Sequence, residues 1–148
     1  MGDKLDRRLA SAAMDWAMRR LRITDWSVSL EVDDQPPAWA EGEADSPKIC
    51  GLCKTDLKYK QAKIWLSVAR HETTPITDPL STLMHELCHV WAVDCSVRND
   101  VSDRKELMWN TLGDLLAEHF RLLEEKRCTL KSVRSAAGRG KKKTGTRR

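Results

Sequence analysis

Two imidazoles and a carboxylate stand close together in His85-Glu86-Leu87-Cys88-His89. On an α-helix, residues four apart lie one above the other, about 6 Å along the axis and about 40° round it. Both imidazoles can then reach one metal ion. Glu86 falls just beside them, placed to touch a water on that metal and not the metal itself. Such a set suits hydrolysis, with a cation that acidifies a water and a carboxylate that takes its proton. Four His and nine Glu in 148 residues give roughly a 0.6% chance of this spacing arising at random. A His pair with no metal is the competing reading.

Zinc in a catalytic site takes three protein ligands and keeps the fourth position open. No His lies between His89 and His119, so the candidates are Asp94, Asp100, Asp103, Glu106, Asp114, Glu118 and His119. Helical phase favours Glu106. It shares a face with Asn110, Gly113 and Ala117, a stripe small enough for another helix to approach closely. That stripe borders an apolar arc of Met108, Trp109, Leu112, Leu116 and Leu123. Asp114 and Glu118 point further round and read as solvated charges, and His119 reads as a core histidine. Asp103-x-x-Glu106 also has the form of a capping box, which would use the carboxylate at the helix start. Asp94, five residues past His89, is the alternative metal ligand.

The elements that must position these groups are legible from capping and periodicity. Asp78 is placed as an N-cap and Pro79 as the first helical residue of a helix running to about Val93. Its apolar residues fill the arc opposite the histidines, which leaves the His face pointing out of the core beside Ser81 and Thr82. A last helix is expected from Ser102 or Asp103 to about Lys126. An amphipathic helix is expected over 3–22 and a half-buried strand over 26–32, where apolar and polar residues alternate. A loop follows at 33–47, then a short strand at 49–53, a hairpin link at 54–61 and a strand at 62–68. The fold class is α+β, with a small three-stranded sheet between an N-terminal helix and the two C-terminal ones.

Length allows one domain, here 1–130, and 41% apolar with 32% charged residues is a globular composition. The net charge of +4 conceals an asymmetry. Residues 131–148 hold eight Lys and Arg and no acid, which leaves 18 basic against 22 acidic residues in 1–130. The basic tail is expected to be disordered. It could contact DNA phosphates non-specifically, or serve only to keep the chain soluble. No apolar run is long enough to cross a membrane, and the N-terminus lacks the apolar region of a secretory signal. The expected compartment is the cytoplasm, including that of a host for a phage-encoded protein. Five Cys without a secretory signal argue for reduced thiols. Cys50 and Cys53 alone are half of a zinc knuckle and read as strand or core thiols.

Thr82-Leu83-Met84-His85-Glu86-Leu87-Cys88-His89 resembles the active-site helix of zincin metallopeptidases. Cys50-Gly51-Leu52-Cys53 and Ile64-Trp65-Leu66-Ser67 are similar to two segments that precede this helix in SprT-like and Spartan-like proteases, a likeness spanning about residues 26–93. The later third-ligand His and the Cys-rich ribbon of those proteins are absent. Glu106-Leu107-Met108-Trp109-Asn110-Thr111-Leu112-Gly113 instead resembles the ligand helix of ImmA/IrrE-type gluzincins. The resemblance implies a minimal zincin fold, with zinc on His85, His89 and Glu106, Glu86 as general base, and Asn110 supporting a zinc-bound His. It implies hydrolysis of peptide bonds in a protein or peptide substrate, including DNA-associated proteins. Strand 63–68 is the expected sheet edge on which an extended peptide would add. Tyr59, His71 and His119 are candidates to stabilise the oxyanion. The alternative is a catalytically silent zincin-fold module with a binding or regulatory role.

Overall fold

The computed structural model describes residues 6–73, 78–95 and 103–139, and in the last stretch the side chains of 107–132. The chain divides into two units, Met1–Ala117 and Glu118–Arg148. The first unit holds a three-stranded sheet with helices packed on it, an α+β architecture.

Helix α1 (Arg7–Leu21) begins where Asp6, in extended backbone, accepts the Leu9 amide at 2.7 Å. It stops at Arg22, whose left-handed φ of 59° turns the chain out of the helix. The first turn expected from residue 3 falls partly on residues 1–5, outside the described residues. Three strands follow: β1 (Ser27–Val32), β2 (Gly51–Asp56) and β3 (Gln61–Leu66). The order in the sheet is β1-β3-β2. β3 runs parallel to β1, from Ser27 opposite Gln61 to Val32 opposite Leu66. It runs antiparallel to β2, from Gly51 opposite Leu66 to Asp56 opposite Gln61. The hairpin link is therefore shorter than expected, and Lys60 closes it with a φ of 48°.

This order corrects one expectation. β3 is the central strand and not an edge, and β2 is the edge strand on its side of the sheet. Ile64, Trp65 and Leu66 have no exposed surface, so both faces of β3 are covered at this end. The strand also ends at Leu66. Ser67 leaves it, and its Oγ accepts the Arg70 amide at 3.2 Å to cap a short helix, α2 (Val68–Thr73).

Helix α3 (Pro79–Asp94) has the expected start. Asp78 accepts the amides of Leu80 and Ser81 at 3.0 and 3.2 Å, and Pro79 needs no partner for a missing N–H. Leu83, Met84 and Leu87 are fully buried, each contributing about 1.5–3 kcal/mol. α3 packs on β2 and β3 and on α1, which turns the small buried face of Ala10, Ala13 and Ala17 inward.

Helix α4 (Asp103–Arg139) begins where expected but runs past Lys126. Residues 131–139, expected to be disordered, continue the helix, because Lys, Arg, Ser and Ala tolerate or favour helical backbone. Residues 140–148 lie outside the described residues. Among the described residues, no helix is long and apolar enough to cross a membrane.

Candidate metal centre and adjoining cleft

Between Leu80 and Val90, every α3 residue is buried except His85 and His89, which are half-exposed. The helix thus opens to its surroundings along the histidine strip alone. The two rings meet edge to face, with centroids 4.7 Å apart. Their Nε2 atoms converge to 2.9 Å. Two nitrogens this close lie within reach of one zinc bound at about 2.0–2.1 Å. The donor pair fits the metal.

Glu86 sits behind this pair, 7% exposed. Its carboxylate lies against the start of β2. A Cβ added at Gly51 would stand 3.3 Å from Glu86 Oε1 and 2.5 Å from Thr82 Cγ2. Only a residue without a side chain allows β2 to approach α3 this closely. Desolvation raises the Cys53 thiol far above its ordinary value, and the charge of Glu86 adds to it. The same two causes push Cys88 up to about 12. Both thiols stay protonated at neutral pH and act as core or strand groups, which agrees with their reading from the sequence.

The other wall is α4. Gly113 packs on the α3 backbone, where an added Cβ would lie 3.0 Å from His85 N and 3.1 Å from Ser81 O. Trp109 packs with Cys88 and Ala92, and meets the Trp91 ring edge-on at 5.8 Å. Since Trp109 opposes the later part of α3 and Gly113 the earlier part, this stretch of α4 runs antiparallel to α3. The small stripe read from the sequence is thus the surface that meets the histidine helix.

Between the walls lies a cleft of about 300 Å³. Lys48, Ile49, Cys50 and Gly51 line one side, Ser81, Thr82, His85 and Glu86 the floor, and Asn110 and Asp114 the α4 side. Asn110, expected to support a zinc-bound His, is exposed and lines the α4 side. Asp114, expected as a solvated charge, is exposed and also borders the cleft.

The third ligand is not among these groups. Among the described residues, no three His, Cys, Asp or Glu side chains converge on one point. The side chain of Glu106 lies outside the described residues, as do Asp100 and the capping box with Asp103. Asp94, the alternative ligand, is committed elsewhere. Its Oδ1 accepts the Trp26 indole N–H at 2.9 Å and pairs with Lys60 at 3.2 Å. Five residues beyond His89 it has turned about 140° round the helix, toward the far end of the sheet.

Of the three oxyanion candidates, Tyr59 sits away from the histidine pair and His71 is already engaged. Tyr59 is exposed in the β2–β3 turn, at the opposite end of β2 from Gly51. His119 is exposed and not a core residue. His71 is buried, with Nδ1 2.5 Å from the Ser67 carbonyl and Nε2 2.7 Å from Thr82 Oγ1. A carbonyl only accepts, so Nδ1 carries the hydrogen and Nε2 accepts the threonine hydroxyl. His71 thereby fixes Thr82 on the cleft floor.

One positioning group was missed entirely. Arg70 Nη1 donates to the carbonyls of Ala44, Ser46 and Ile49 at 2.9, 3.1 and 2.9 Å. Its guanidinium lies 4.9 Å over the Trp65 ring. The same cluster buries Ala40, Ala44 and Trp65 against Trp39, Ile49 and Leu52. Trp39 closes this cluster and donates to Glu31 at 3.0 Å. Trp65 is therefore a core residue and not part of a substrate edge. No short motif signals a contact made across more than twenty residues.

No protein-family model, no curated protein and no solved structure matches this chain.

Proposed function

We propose that the protein is a zinc metallopeptidase, with His85, His89 and Glu106 as ligands and Glu86 as general base. The observation that carries this reading is the convergence of the two Nε2 atoms at 2.9 Å beside a buried glutamate that opens onto a cleft. A structural site has no use for that carboxylate. Zinc, when bound, supplies Lewis acidity toward a carbonyl oxygen and a water. Glu86 takes the proton of the attacking water and passes it to the leaving amine. Its burial against Gly51 holds it at the floor of the cleft. Asn110 orients a ligating imidazole from the α4 side. On α4, Glu106 is one turn before Asn110, toward the His89 end of α3, which suits a third ligand. The edge available for an extended peptide is that of β2, whose first residue touches Glu86. The likeness to SprT-like proteases in front and gluzincins behind, and action on DNA-associated proteins, belong to this same proposal.

The test is metal content by plasma mass spectrometry, with peptide hydrolysis measured in parallel. Wild type is expected to hold one zinc, and Glu106→Ala and His85→Ala to lose it. Asp94→Ala should keep it. Glu86→Gln should keep zinc and lose at least about 100-fold in cleavage rate. A zinc-loaded wild type that cleaves no peptide would favour a catalytically silent module instead.

A further inference from the structure

Resting on the peptidase reading, we propose that the cleft beside Glu86 receives one cationic side chain of the substrate, Lys or Arg, and that Asp114 selects it. The cleft has room for one long side chain. Its walls near the chemistry are apolar, formed by Ile49, Cys50 and the Gly51 backbone. These suit the methylene stem of Lys or Arg, which bury readily while the charged head seeks a polar partner. Asp114, exposed on the α4 side of the cleft, supplies that partner. It lies one turn along α4 from Asn110, and α4 is antiparallel to α3 here. Asp114 therefore sits toward the Ser81 end, about 6 Å along the axis from the level of Asn110.

Charge agrees with this assignment. The lining carries Glu86 and Asp114 against Lys48. Glu86 is taken up by the reaction, so Asp114 is the anion left for recognition. Lys48 is exposed on the opposite rim, and its long stem lets the ammonium turn to solvent. An acidic substrate side chain would have to displace that hydration and face two carboxylates.

The experiment maps cleavage sites in a proteome-derived peptide library by mass spectrometry, using full-length wild type, Asp114→Asn, Asp114→Lys and Lys48→Ala. Wild type should enrich Lys and Arg at one position next to the scissile bond. Asp114→Asn should cut that enrichment about fivefold, the worth of one partly exposed ion pair. Asp114→Lys should turn the preference toward acidic residues. Enrichment that is absent, or unchanged in both Asp114 variants, overturns the proposal. So does acidic enrichment lost in Lys48→Ala. A second measurement separates this failure from failure of the peptidase reading. N-acetyl-lysine methylamide and its norleucine isostere are titrated into the chain and followed by the amide shifts of Gly51 and Asn110. Equal binding of the two overturns the cationic pocket, whether or not any peptide is cleaved. Tighter binding of the lysine ligand, lost in Asp114→Asn, supports it even in a chain that cleaves nothing.

Discussion

His71 takes no part in the proposed reaction, yet it is the titratable group whose environment is most plainly structural. Burial lowers its pKa, against the Ser67 carbonyl and the Asp78 charge, which raise it. In the unfolded chain it would titrate near 6.5. Below that pH the unfolded chain takes up a proton that the folded chain resists. The stability His71 contributes is thus complete above about pH 6.5 and is lost as pH falls toward its lowered folded value. Asp94 behaves differently. The Trp26 indole, then Lys60, hold its carboxyl below the usual carboxylate range. Its contribution is lost only below about pH 4, so from about 4 to 6.5 the difference between wild type and a His71 variant reports on His71. We expect the urea midpoint of wild type to fall between pH 7.5 and pH 5. His71→Gln should start lower and change less over that interval. An equal fall in the variant would contradict the assignment. The histidine's role was not legible from sequence, because one partner, the Ser67 carbonyl, is set by the turn from β3 into α2 and the other, Thr82, lies on α3.

Among the elements, the contact of α4 with α3 depends on one missing side chain. Gly113→Ala gains about 1 kcal/mol of helix propensity. It also drives a methyl group into the backbone of Ser81 and His85, which cannot rotate aside, and such overpacking costs about 1–3 kcal/mol. A net loss of stability is expected on urea unfolding. Thr111→Ala, exposed on the same helix, should instead be neutral or slightly stabilising. Gly51→Ala should also destabilise, because Thr82 is held by His71 and cannot easily swing its methyl away. The start and phase of α3 were legible, since a cap, a proline and a 3.6-residue period are local signals. The small stripe on α4 was legible for the same reason. The place of β3 in the sheet was not. Its alternation marks a strand, but only pairing with β1, more than thirty residues earlier, makes it central. Val68 continues the alternating pattern, yet Ser67 has already turned the chain into a helix. Asp114 is exposed, as its helical phase suggests, and also borders the cleft.

Across the whole molecule, charge is unevenly placed along the chain. Residues 140–148 hold five Lys and Arg and no acid, so their removal takes the formal charge from +4 to −1. If this segment carries contact with DNA, its deletion should abolish salt-dependent binding to duplex, measured by fluorescence anisotropy. The thermal midpoint should move by no more than about 1 °C, since surface changes away from the core rarely exceed ±0.5 kcal/mol. Binding that survives the deletion would place the contact elsewhere.

The wall of the cleft formed by Lys48, Ile49 and Cys50 owes its shape to one arginine. Arg70 gathers three carbonyls from residues 44–49, and ordering a residue costs about 1–2 kcal/mol of backbone entropy. A segment held from a single point does not fray residue by residue. It releases together or stays together, so amide exchange over 44–50 should follow one common opening rate. That opening would uncover Gly51 and the floor below it while the sheet stays intact. The wall is thus a small cooperative unit whose stability is set apart from that of the core.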